Sequence, residues 1–226
     1  MLIDRLSGTW EGRKPAQYIA CMKSRTAIRD QVGFTLYELM ITLVIVGVVL
    51  SYGMANLSDY TRNGRMTATA NDLHAAFHLA RSESARGKTN ITICASTDPM
   101  AATADCDGTW DQGYIVFIDS DGDLLRAGAT ETILRRHGVI ETGVSLAVVN
   151  AATYFGYASS GLGRGNVGGV AAVTQIVMCD MRGNVTAAGG NSAARLFVAT
   201  PLGRATILRD MARIGTVLTI NGLSCP

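Results

Sequence analysis

Aromatic side chains make up only 6% of this sequence while glycine occurs 25 times, which argues against a large aromatic core and suits a small sheet with many turns. None of the five cysteines forms a Cys-x-x-Cys pair, the close spacing a structural zinc site would want. No Ser, His and Asp set and no Cys–His pair stands in a motif context, and His137 beside Arg135 and Arg136 reads as a strand end. We therefore expect no enzyme and no cofactor. Proline is absent from Asn56–Arg86, so nothing there breaks a helix.

What is present begins with one apolar run. From Phe34 to about Leu57 the chain is apolar or small apart from a single carboxylate, Glu38. A helix of roughly 20 such residues, rising about 1.5 Å each, spans the ~30 Å hydrocarbon layer of a membrane. Lys23, Arg25 and Arg29 precede the run, and positive flanks stay on the cytoplasmic side. An ordinary secretory signal would have a shorter apolar core and a small-residue cleavage site after it. A carboxylate near the start of a membrane helix costs on the order of 2–3 kcal/mol unless it finds a partner, which makes Glu38 a functional candidate.

The residues Gly33-Phe34-Thr35-Leu36-Tyr37-Glu38-Leu39, followed by the apolar run, resemble the class III signal of type IV pilins and pseudopilins. That resemblance implies cleavage by a prepilin peptidase between Gly33 and Phe34 and N-methylation of Phe34. It also implies that Glu38 pairs with the N-terminal amine of a neighbouring subunit during assembly. Tyr37 stands where Ile, Leu or Val is commoner. The implied organisation is a leader at 1–33, a transmembrane and assembly helix at 34–57, its amphipathic continuation at 58–87 and a β-rich periplasmic domain at 88–226. Within the leader, Met22 is a second candidate start, and no stable fold is expected before it. The 33 leader residues hold six of the 20 basic and three of the 18 acidic side chains, leaving 14 against 15. Net charge thus lends no support to nucleic-acid binding, and such binding would need a local patch.

Cys21 falls in the leader, so Cys94, Cys106, Cys179 and Cys225 remain. In an oxidising periplasm an even set is read as disulfides, and four cysteines allow three pairings. The favoured one joins Cys94 to Cys106 across a short loop and Cys179 to Cys225 at the C-terminus.

Met66, Ala70, Leu73, Phe77 and Ala80 recur at three- and four-residue steps, one apolar stripe on a helix. Gly64 is a candidate bend and Gly87 a candidate C-cap, with Arg86 and Lys88 at the negative end of the dipole. His74 and His78, four apart, have no third ligand nearby in sequence and read as a solvated helix face. The stretch Leu79-Ala80-Arg81-Ser82-Glu83-Ser84-Ala85 is similar to the helix end of the FimT/GspH subgroup of minor pilins and pseudopilins. Trp110-Asp111-Gln112-Gly113-Tyr114-Ile115-Val116-Phe117 resembles the first strands of the same subgroup.

From Asn90 the period changes to two. Strands are expected at Asn90–Ser96, Gly113–Asp119, Thr132–His137, Val144–Val149, Thr153–Tyr157, Gln175–Asp180 and Arg195–Thr200. Ala205–Arg209 and Val217–Ile220 are possible additions. The expected fold is α+β: a long N-terminal helix, its first half transmembrane, packed against a small antiparallel β-rich domain.

Asp119-Ser120-Asp121-Gly122-Asp123 invites a calcium reading, yet neither the glycine nor the later glutamate of an EF-type loop is in place, so no metal site is assigned. Arg164, Arg182, Arg195, Arg204, Arg209 and Arg213 make the late chain locally positive, with only Asp180 and Asp210 among them. Some FimT-type pilins are thought to bind DNA through a C-terminal Gly-Arg-x-Arg. The matching place here reads Gly203-Arg204-Ala205-Thr206, which keeps the first Arg and replaces the second by Thr. Arg204, Arg209, Arg182, Arg195 and Arg164 are the candidate DNA contacts, with Gly161–Gly169 as a flexible loop.

The reading is a minor type IV pilin, inserted in the inner membrane by a single pass and then built into or priming a filament. Its implied partners are other pilins or pseudopilins, prepilin peptidase, an inner-membrane assembly platform and the membrane, with DNA as a candidate ligand. The alternatives are a GspH-like pseudopilin of a type II secretion system and, in another class, an uncleaved signal-anchored periplasmic protein.

Overall fold

The computed structural model describes residues 33–126, 131–187 and 189–225. The leader reading at 1–33, Cys21 included, lies outside the described residues except for Gly33. The chain divides into two compact units, 1–47 and 48–226, and the helix α1 (Leu36–Gly87) starts in the first and ends in the second.

Within the first unit α1 starts at a threonine cap. Thr35 Oγ1 accepts from the backbone N–H of Glu38 at 3.2 Å, which satisfies one of the orphan donors of the first turn. Glu38 itself lies in that turn, where the positive end of the helix dipole favours a carboxylate. Among the described residues α1 is the one helix long and apolar enough to cross a membrane, by length and composition.

The second unit holds two four-stranded sheets. The first has the order β3-β2-β1-β5, built from β1 (Ile91–Ala95), β2 (Tyr114–Ile118), β3 (Ile133–His137) and β5 (Tyr154–Tyr157). The second has the order β4-β6-β7-β8, built from β4 (Ser145–Val148), β6 (Gln175–Cys179), β7 (Arg195–Ala199) and β8 (Ala205–Leu208). Every pairing is antiparallel. The fold is α+β. Seven expected strands and the additional one at Ala205–Arg209 form within a residue or two of their expected bounds, because alternating or continuous apolar runs between Gly and Asp-Gly turns bury best as strands.

The apolar stripe of α1 is the centre of the core. Met66, Ala70, Leu73, Phe77 and Ala80 are all buried. The Phe77 ring stands 5.2 Å from Phe155 in the first sheet and 4.6 Å from Phe197 in the second, so a single side chain bridges both sheets. Aromatic pairs at such separations add about 0.5–1.5 kcal/mol each beyond area burial. Two disulfides, Cys94–Cys106 and Cys179–Cys225, close the ends of β1 and β6.

One local expectation gives way. Val217–Ile220 belongs to a helix, α2 (Met211–Ile220), rather than a strand. Asp210 caps it, accepting from Arg213 N at 2.7 Å, and Ile214 and Val217 bury three apart against Val177, Cys179 and Leu196. The cap and the packing outweigh the β preference of Val, Thr and Ile. Gly87 ends α1 at the C-cap position, and Lys88 after it takes the left-handed backbone at φ 54°. Gly64 lies inside α1, which runs through it uninterrupted.

Candidate functional site

The N-terminal end of α1 is an exposed apolar helix surface. Phe34, Leu36, Tyr37, Leu39 and Met40 are exposed, as are Leu43, Val44, Ile45 and Val46 two turns on. Monomeric proteins in water rarely leave so long an apolar surface uncovered, so this one has lipid or other helices as its proper surroundings. Glu38 is exposed on it, in the first turn of α1 and four residues after Phe34. In lipid or among apolar helices a lone carboxylate is costly and a cation is its natural partner.

The arginines fare differently from one another. Arg164 Nη1 donates to Asp119 Oδ2 at 2.9 Å and Nη2 to the Gly122 carbonyl. Arg182 holds Asp180 through Nε and Nη2, reaches Asp59 at 3.6 Å and bonds Asn63 Oδ1 at 2.9 Å. Burial would raise the Asp180 carboxyl, but the hydrogen bonds from Arg182 prevail and hold it below its ordinary value. Arg195 is buried, and its Nη1 donates to the carbonyls of Ser192, Ala193 and Ala194. Burial, with Arg209 and Arg182 nearby, pushes its pKa down to about 10. Arg209 is half-buried at the end of β8, with its Nε enclosed. Arg204 is exposed in the β7–β8 turn, where Thr200 and Arg204 are bonded to each other through backbone and hydroxyl groups. The five candidate arginines therefore do not form one free basic face: Arg164, Arg182 and Arg195 are engaged inside the domain.

The glycine-rich segment 161–169 is likewise tethered at its start rather than loose. Gly161 N bonds the Ala158 carbonyl at 2.8 Å, Gly163 N the Pro201 carbonyl at 2.9 Å and Arg164 N the Gly156 carbonyl at 2.8 Å. Gly203 has φ 75°, and a Cβ there would run into the Gly161 carbonyl, so the hairpin turn and the segment pack backbone to backbone.

Asp119, Asp121 and Asp123 each bring one carboxylate oxygen within 4.8 Å of the others. The guanidinium of Arg164 already supplies a cation to that loop through Asp119 and Gly122. One network was not legible in sequence. Asp72 on α1 meets Arg135 at 3.4 Å and His137 at 3.5 Å, and His137 stacks on Tyr114 at 4.8 Å. Asp72 and Arg135 are 63 residues apart, and no local motif marks such a pair.

Residues 28–53 match the prokaryotic N-terminal methylation motif, and residues 69–203 match the family described as Type II transport protein GspH. None of the curated proteins matches the chain. Two crystal structures of the type IV minor pilin FimU from Pseudomonas aeruginosa are similar to it, both at 18% identity. One has a TM-score of 0.44, covering 68% of this chain and 94% of that one; the other has 0.41, covering 62% and 90%. The N-terminal methylation motif and the GspH-type domain that follows it in the chain define the class, type IV pilins and pseudopilins. The GspH match spans 135 of 226 residues, and the chain belongs to the GspH family.

Proposed function

We propose that the protein is a minor pilin, cut after Gly33, methylated on Phe34 and carried from the inner membrane into a filament. The leader side is cytoplasmic and the domain at 88–226 periplasmic. Residues 34–57 form the part embedded first in lipid and then among neighbouring helices, and 58–87 the part that carries the domain. Glu38 accepts the methylated amine of a neighbouring subunit and so sets the register of assembly. Partners are other pilins or pseudopilins, prepilin peptidase and an inner-membrane assembly platform. The role is structural, with no chemistry assigned to the chain itself.

The observation that carries this reading is the conjunction at one helix end: a glycine, a phenylalanine and a lone carboxylate opening an apolar surface exposed throughout. A second reading, a minor pseudopilin of a type II secretion system, draws on the family match over 69–203. Both readings share the processing step and diverge in the filament joined. DNA contact forms no part of the proposal, because three of its five arginines are engaged internally.

The test is co-expression of the full chain with a prepilin peptidase, followed by mass spectrometry of the N-terminus. A mature chain beginning with N-methyl-Phe34 is the expected product. An uncut chain would instead make it a signal-anchored periplasmic protein. Crosslinking to co-expressed pilins, with Glu38→Ala alongside, reads the assembly step, and equal crosslinking by both chains would remove the role given to Glu38.

A further inference from the structure

Two histidines on α1 meet a strand that sequence could not bring to them. His74 and His78 lie four apart, on one face of the helix. Their Nε2 atoms are 3.1 Å from each other. His74 Nε2 is also 3.1 Å from the carbonyl oxygen of Ala205, the first residue of β8 and 131 positions along the chain. Among these three atoms the carbonyl has no hydrogen to give. A hydrogen on His74 Nε2 therefore serves both contacts at once, facing the Ala205 oxygen and the lone pair of His78.

A metal ion in place of that hydrogen would meet the same donor atoms. Metal–nitrogen bonds of about 2.0–2.1 Å put two ligand nitrogens roughly 2.9–3.4 Å apart, from right-angled to tetrahedral coordination. The observed separation of 3.1 Å falls inside that span. His78 is exposed and His74 half-buried, so water can reach the remaining coordination positions.

We propose that His74 Nε2, His78 Nε2 and the carbonyl oxygen of Ala205 form a binding site for a divalent transition cation of the Zn²⁺, Ni²⁺ or Cu²⁺ type. The class of ion follows from the donors: imidazole suits these metals, whereas Mg²⁺ and Ca²⁺ take oxygen ligands. On binding, the hydrogen on His74 Nε2 moves to Nδ1, and both Nε2 lone pairs turn to the metal. The ion then links α1 to β8 and stabilises the folded domain by mass action.

The experiment is a Zn²⁺ titration of the full chain in detergent, read by calorimetry and by thermal unfolding with and without EDTA. His78→Ala, which changes an exposed side chain, and His74→Gln, which keeps a donor for Ala205, are titrated in parallel. The wild type is expected to show an EDTA-reversible rise in Tm, with no comparable rise in Mg²⁺. Loss of an outer-shell partner alone typically costs about 10–100-fold in metal affinity, so removing a ligand should weaken binding by more than about tenfold. Zn²⁺ affinity unchanged in His78→Ala, or no binding by the wild type, would overturn the site.

Discussion

Arg164 and Asp119 form an ion pair at 2.9 Å across 45 residues of chain. Asp119 is fully buried, and the hydroxyl of Thr92 donates to the same Oδ2 at 2.7 Å. A buried carboxylate that loses its cation costs about 3–5 kcal/mol, because its desolvation is no longer offset. Arg164→Ala should lower the domain's stability by about that much in denaturant unfolding of the full chain in detergent. An arginine present only to meet a ligand would leave stability unchanged.

The two disulfides should differ in their contribution. Cys179–Cys225 closes a separation of 46 residues and Cys94–Cys106 one of 12. The chain-entropy relation gives about 4 kcal/mol for the longer loop and about 3 kcal/mol for the shorter. Replacing both cysteines of each pair by serine, one pair at a time, and comparing Tm tests the order. A larger loss from the Cys94 and Cys106 pair would show that local packing, not loop closure, dominates.

Acid should weaken the domain partly through Asp180. Its carboxyl lies below its ordinary value, since Arg182 overcomes the effect of burial. A group depressed in this way stabilises the fold above its unfolded pKa of about 4, and the contribution is lost as pH falls through the folded value. Asp180→Asn should therefore flatten the fall in Tm between about pH 5 and pH 2 while lowering Tm at pH 7. Parallel Tm–pH curves for variant and wild type would refute the linkage.

Phe77→Ala should be among the most damaging substitutions outside the apolar run. Phe77 is fully buried and its ring meets Phe155, Phe197, Trp110 and Tyr157. Removing a core phenylalanine costs about 3–5 kcal/mol in lost transfer energy and cavity formation. Thermal unfolding followed by tryptophan fluorescence reports it directly, because Trp110 lies 6.5 Å from the ring.

The sequence by itself determined what depends on neighbours in the chain. An apolar run of membrane-spanning length, a stripe at helical spacing and alternating segments between turn residues are each local, and the helix and strands stand where those patterns place them. The short motif around Gly33, Phe34 and Glu38 is legible for the same reason. Tertiary structure alone decided what depends on distant partners. It made Val217–Ile220 helical, since the Asp210 cap and a buried face against β6 and β7 outweigh intrinsic preference. It divided the arginines into those answered by Asp119, Asp180 or backbone carbonyls and the exposed Arg204, although all of them read alike as letters. It also set Ala205 against His74, because a carbonyl oxygen carries no sequence signature and only folding gives it a neighbour.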